Sequence, residues 1–131
     1  MPSVFTPAVI GILVLTVVPA TAQSLREVFG QVNPSVVLIE ARGTQTPAPG
    51  AEARVQEGVG SGVLISADGQ VLTAAHVVRG ADTLQVRFIT GDPIPARIVA
   101  SAPFADLALL QLASVPAGAV VARFGDSDGL A

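Results

Sequence analysis

The sequence contains no cysteine, which excludes disulfides and thiolate metal sites. It has a single histidine, so a structural zinc site has no ligand set to draw on. Lysine is missing too: all seven basic residues are arginines, scattered singly along the chain. No basic cluster exists to neutralise phosphates, and aromatics for base stacking make up only 4% of the residues. Nucleic acid is therefore not an expected partner. Charged residues are sparse at 13%, with a net charge of −3, whereas half of the 131 residues are apolar. That balance fits a globular or membrane-biased chain of at most one domain and excludes a disordered one.

What the sequence does have begins with an apolar stretch. Residues 1–25 carry no charged side chain, and the run from Val9 to Val18 leads to Pro19 and then Ala20-Thr21-Ala22. An apolar core followed by small residues at the −3 and −1 positions is the pattern of a signal peptide, cleaved here after Ala22. No arginine or lysine precedes the run, so the alternative is an uncleaved membrane anchor, since Val4 to Ala22 approaches the spanning length of roughly twenty residues. Residues 1–22 are thus expected to be a signal peptide or anchor and residues 23–131 an exported domain. A cysteine-free domain of this kind suits a bacterial periplasm.

Leu25, Val28, Phe29 and Val32 recur at helical spacing, with Ser24 as cap and Glu27 at the capping-box position. Asn33-Pro34 ends that short helix. Beyond it the chain reads as short strands separated by turn signals. Strands are expected at 35–40, 62–66, 71–73, 84–89, 95–100 and 107–112. A surface loop rich in glycine and proline is expected at 43–58, and a tight turn at Ala67-Asp68-Gly69-Gln70, where Asp-Gly supplies positive φ. The spacing predicts an all-β, antiparallel barrel or sandwich.

Two motifs carry chemistry. In Leu72-Thr73-Ala74-Ala75-His76-Val77-Val78 a strand ends and two small alanines let the turn pack tightly, fixing the only imidazole at a cleft edge. In Ala105-Asp106-Leu107-Ala108-Leu109-Leu110 a carboxylate sits at the mouth of an apolar strand. A carboxylate that orients a histidine is expected to be partly buried and held by backbone hydrogen bonds. Taken singly, such a histidine is more often a surface or core residue, and such an aspartate a turn residue; their joint occurrence within matching strands favours a site. Gly58-Val59-Gly60-Ser61-Gly62 lacks the lysine and the following helix of a phosphate loop. It reads instead as a bulge or a close backbone approach. Asp126 and Asp128, without the rest of a calcium loop, read as solvated turn residues. No cofactor or metal is expected.

These motifs resemble the histidine and aspartate motifs of trypsin-like serine peptidases. More narrowly, the chain resembles the HtrA/Deg family of exported bacterial proteases, through Val32-Asn33-Pro34-Ser35-Val36-Val37, Gly60-Ser61-Gly62-Val63-Leu64-Ile65, the two motifs above and Gly125-Asp126-Ser127-Asp128, in the family's order. The resemblance implies the first barrel of a two-barrel chymotrypsin-like fold, truncated before the second. It implies that His76 is the general base and Asp106 its orienting partner, in a serine endopeptidase acting on unfolded or damaged exported proteins. It also suggests a homotrimer formed through the segment near Leu25–Phe29. Val77 stands where eukaryotic trypsins place a cysteine, which fits the bacterial branch.

Ser127, in Gly125-Asp126-Ser127-Asp128-Gly129, is superficially like a nucleophile loop. It is not expected to be the nucleophile: Asp128 replaces the glycine that should follow the serine, and a carboxylate there opposes a developing oxyanion. The segment between Asp106 and Ser127 is also too short for a second barrel. The nucleophile, oxyanion hole and specificity pocket are therefore expected outside the sequence, and the chain alone is expected to be inert. The competing expectation is a non-catalytic exported β module, a pseudo-protease used for binding.

Overall fold

The computed structural model of the chain describes Glu27 and residues 32–130. The expected signal peptide or anchor, the Leu25–Phe29 association segment and most of the opening helix lie outside those residues. Glu27 and Val32 themselves have helical backbone. A single 3-10 turn, Asn33–Ser35, then hands the chain to the first strand.

Six strands follow: β1 Val36–Gln45, β2 Arg54–Leu64, β3 Gln70–Thr73, β4 Thr83–Phe88, β5 Ile94–Ala102 and β6 Leu107–Leu112. They close into an antiparallel barrel in the order β1-β2-β3-β6-β5-β4. Closure comes from β1, which pairs with β2 along one edge and with β4 along the other. The expected all-β barrel is therefore what forms.

Alternation of side chains explains the core. Strand residues point to opposite faces in turn, so Val37, Ile39 and Ala41 of β1 enter the barrel, as do Leu84, Val86 and Phe88 of β4 and Ala108, Leu110 and Leu112 of β6. Leu64 and Val71 complete the layer. A short helix, α1 (Ala75–Val78), covers one end of the barrel with Ala75 and Val78. Each fully buried Leu, Ile or Val contributes about 1.5–3 kcal/mol relative to exposure.

The tight turn at residues 66–70 is present. Gly69 has φ +93°, and its N–H donates to the Ser66 carbonyl at 3.2 Å. The loop expected at 43–58 is shorter than the composition suggests. β1 runs on through Gln45 and β2 begins at Arg54, in unbroken register from Gln45↔Arg54 to Val36↔Val63, so only residues 46–53 form a loop. The physical reason is that this hairpin projects beyond the barrel. Residues 54–57 are exposed on both faces, so they show no alternation that could reveal a strand. Among the described residues no helix is long and apolar enough to cross a membrane.

Candidate active site

The site is built by strand register. Thr73, at the end of β3, pairs with Ala108 near the start of β6. The chain leaving β3 and the chain entering β6 therefore meet at the same end of the barrel. His76 lies three residues beyond Thr73 and Asp106 two before Ala108, which brings the two motifs face to face. Thr73 is itself buried and anchored, its hydroxyl donating to the Ser61 carbonyl at 2.8 Å.

Asp106 clasps the first turn of α1 with three contacts. Its backbone carbonyl accepts the Ala75 N–H at 3.0 Å. Its Oδ1 accepts the His76 N–H at 2.9 Å. Its Oδ2 lies 2.6 Å from Nδ1 of the His76 ring. The first N–H groups of a helix have no partner within the helix, and no side chain at Ala74 caps α1. Asp106 supplies that cap from thirty residues away, and uses its remaining oxygen on the imidazole.

This requires an unusual backbone. Asp106 has φ 52° and ψ 41°, and it is the only non-glycine among the described residues with positive φ. Asp tolerates the left-handed region better than most residues. The conformation ends the 3-10 turn Pro103–Ala105, where the Asp106 N–H donates to the Pro103 carbonyl at 3.1 Å. It turns carbonyl and carboxylate together toward α1.

The electrostatics fix the tautomer. The ring hydrogen bond from His76 holds the Asp106 carboxyl below its ordinary value, with the His76 backbone N–H, the charge on His76 and the Arg79 guanidinium acting in the same direction. At neutral pH the carboxylate is ionised and can only accept hydrogen bonds. Nδ1 of His76 is therefore the donor to Oδ2, and Nε2 lies on the opposite side of the ring.

The chain matches the trypsin-like peptidase domain family over residues 60–131. It belongs to the trypsin-like peptidase family. Relatives within that family are HtrA-type enzymes. The chain is 40% identical over 82 residues to a "Probable periplasmic serine endoprotease DegP-like" of Ectopseudomonas mendocina, covering 63% of this chain and 17% of that protein. It is 34% identical over 112 residues to the protein so named in Halomonas elongata, covering 81% of this chain and 24% of that one. A solved HtrA-type protease with a decapeptide superposes with a TM-score of 0.70 at 26% identity, over 79% of this chain and 36% of that one. The chain thus spans about a fifth of the length of the curated relatives it matches.

Within this peptidase fold the structure places the remaining sequence candidates. Two glycines of 58–62, Gly60 and Gly62, serve close approach. A Cβ on Gly60 would lie 2.5 Å from Val77 Cγ1, and one on Gly62 would lie 2.7 Å from Val71 Cγ1. They form no bulge, because the β1–β2 register is continuous through them. Val77, the residue after the histidine, thus packs directly on the β2 backbone. Ser127 opens a 3-10 turn, Ser127–Gly129, in which Asp126 Oδ1 accepts the Asp128 N–H at 3.0 Å. Among the described residues no cluster of ligating side chains could hold a metal ion. The carboxylate of Asp106 is half exposed and holds a backbone hydrogen bond from His76. The side chains of His76 and Asp106 are 64% and 50% exposed.

Sequence reading missed a feature beside the pair. A groove of about 320 Å3 opens at His76 and runs between α1, the turn after it and the projecting β1–β2 hairpin. Its walls include Gln45, Gln56 and Arg79, none of which stands in a motif. The signal that could have found it is the set of glycines at 43, 58 and 80, which thins the facing walls.

Proposed function

We propose that this chain supplies the base half of a serine endopeptidase of the HtrA/Deg type, with His76 as general base and Asp106 as its orienting partner. The observation that carries the reading is the clasp of Asp106 on the first turn of α1, with two contacts to His76 and one to Ala75, in a chain of the trypsin-like peptidase family.

In this reading a serine hydroxyl from another part of the polypeptide approaches Nε2. As the serine oxygen attacks the scissile carbonyl, its proton passes to Nε2, and Asp106 stabilises the resulting imidazolium. The proton then moves to the leaving amine, the acyl-enzyme forms, and water repeats the cycle to release the acid. The nucleophile, the oxyanion hole and the specificity pocket belong to a second barrel outside these residues, and the chain alone is inert. The chain's coverage of 36% of the solved HtrA-type neighbour supports that division. Ser127 is not the nucleophile in this account, since Asp128 replaces the glycine that should follow a nucleophilic serine and its carboxylate opposes a developing oxyanion.

Substrates are unfolded or damaged exported proteins, and the site of action is the periplasm. Residues 1–22 act as a signal peptide, leaving Gln23 as the first residue of the mature chain, or as a membrane anchor if uncleaved. The complete protein assembles as a homotrimer. Hydrolysis of unfolded casein by the complete protein tests the chemistry. Asp106→Asn should lower turnover by roughly 10⁴, the loss seen when a related triad loses its carboxylate. Unchanged turnover in that variant would remove Asp106 from the mechanism, whereas no hydrolysis by the complete parent protein would favour a binding module.

A further inference from the structure

The groove beside His76 has a chemistry of its own. Three charged or ionisable side chains line it: His76, Glu57 and Arg79. Glu57 is already engaged, since its Oε1 lies 3.1 Å from Nε of Arg42, its cross-strand neighbour. His76 is held by Asp106. Among the described residues no carboxylate comes within 4.0 Å of the Arg79 guanidinium. Arg79 is therefore the cation that the groove offers to a ligand. The side-chain amides of Gln45 and Gln56 line the same groove, and amides can pair with the backbone of an extended peptide.

The groove is preformed. Asp82, just beyond the turn, ties that wall to β1: its N–H donates to the Arg42 carbonyl at 2.8 Å, and its Oδ2 accepts the Thr44 N–H at 2.7 Å. Gly80, at φ +70°, makes the turn that follows Arg79. Its carbonyl lies so close to Gly43 that a Cβ there would sit 2.0 Å away. Arg79 is thus mounted on a turn fastened at several points. The size suits one or two side chains, at the small end of ligand sites of about 300–1,000 Å3.

We infer that Arg79 is a specificity-determining residue, and that the groove takes an extended stretch of polypeptide substrate next to the scissile bond with a carboxylate seated on Arg79. The carboxylate is supplied by an Asp or Glu side chain or by a chain terminus. The inference rests on the reading of His76 as the base beside the scissile bond. Peptide binding, unlike hydrolysis, needs no nucleophile, so the two can fail separately.

The test is a titration of the 15N-labelled chain at low salt, followed at the amides of His76, Arg79 and Gly80, with Leu112 as a distant control. Three alanine hexapeptides serve as probes: one with an internal Glu and blocked ends, one with Gln in that place and blocked ends, and the Gln peptide with a free carboxyl terminus. The Glu peptide should bind roughly two- to fivefold more tightly than its blocked Gln counterpart, the size expected for an exposed ion pair. Arg79→Gln should remove the preference, Arg79→Lys should keep it, and Arg79→Glu should reverse it in favour of the blocked Gln peptide. Raising the salt to about 1 M, where the screening length is roughly 3 Å, should also erase it. A preference confined to the free-terminus peptide would assign the carboxylate to a chain end. Equal binding of all three peptides, binding that leaves the Arg79 amide unmoved, or no binding would overturn the proposal.

Discussion

Gly60→Ala puts one methyl group into the contact between β2 and α1, and its cost can be worked from the structure. The added Cβ would lie 2.5 and 2.6 Å from the two methyls of Val77 and 3.1 Å from its Cβ. Real carbon contacts need about 3.5–4.0 Å. Rotating χ1 does not relieve the clash, because a β-branched side chain swings one methyl in as the other swings out. The backbone of α1 has to lift, and His76 immediately precedes Val77. Overpacking of this kind costs about 1–3 kcal/mol. Val77→Ala removes both offending methyls, so the pair should be coupled, with the double variant recovering about 1–2 kcal/mol relative to additivity. Urea unfolding should be followed by far-UV circular dichroism, since the chain has neither Trp nor Tyr to report by fluorescence. In parallel, the 15N amide shift of His76 should move in Gly60→Ala and return toward its starting value in the double variant. A Gly60→Ala chain as stable as the parent, or strictly additive stabilities, would refute this account of how the histidine turn is seated.

Other outcomes are expected from the same geometry. Leu110→Ala, at a position with no exposed surface, should destabilise the barrel by about 2–5 kcal/mol, read as a lower urea midpoint with an unchanged slope. The Asp106 carboxyl is held below 3.8 by His76. Its contribution to stability is therefore complete above that value and is lost as the pH falls through the lower folded value; Asp106→Asn should flatten that acid limb, as measured by denaturation between pH 5 and 2. Exported protein should have the intact mass of a chain starting at Gln23, whereas retention of residues 1–22 would favour the anchor.

The barrel was legible where one face of a strand is buried. Leu107–Leu112, an apolar run broken only by Gln111, is found as read, and Asp68-Gly69 marks the turn between β2 and β3. The projecting ends of β1 and β2 were not legible. Burial on neither face leaves no period, and the prolines at 47 and 49 read as part of one long loop. β5 runs to Ala102, beyond the expected end at 100, for the same reason, since its residues 98–102 are largely exposed. His76 and Asp106 were marked by their motifs and are brought together through the Thr73↔Ala108 pairing. The left-handed turn at Asp106 was not foreseeable, because it depends on how two strand ends meet rather than on either segment. The same holds for Arg79, whose significance comes from the groove it faces.

The central claim is that His76, oriented by Asp106, activates a serine outside these residues. Labelling of the complete protein with a fluorophosphonate tests it most directly, because the probe marks only an activated serine. The parent and Ser127→Ala should be labelled alike, and His76→Ala should lose the label while remaining folded by circular dichroism. Full labelling of His76→Ala, or loss of label in a folded Ser127→Ala, would contradict the account.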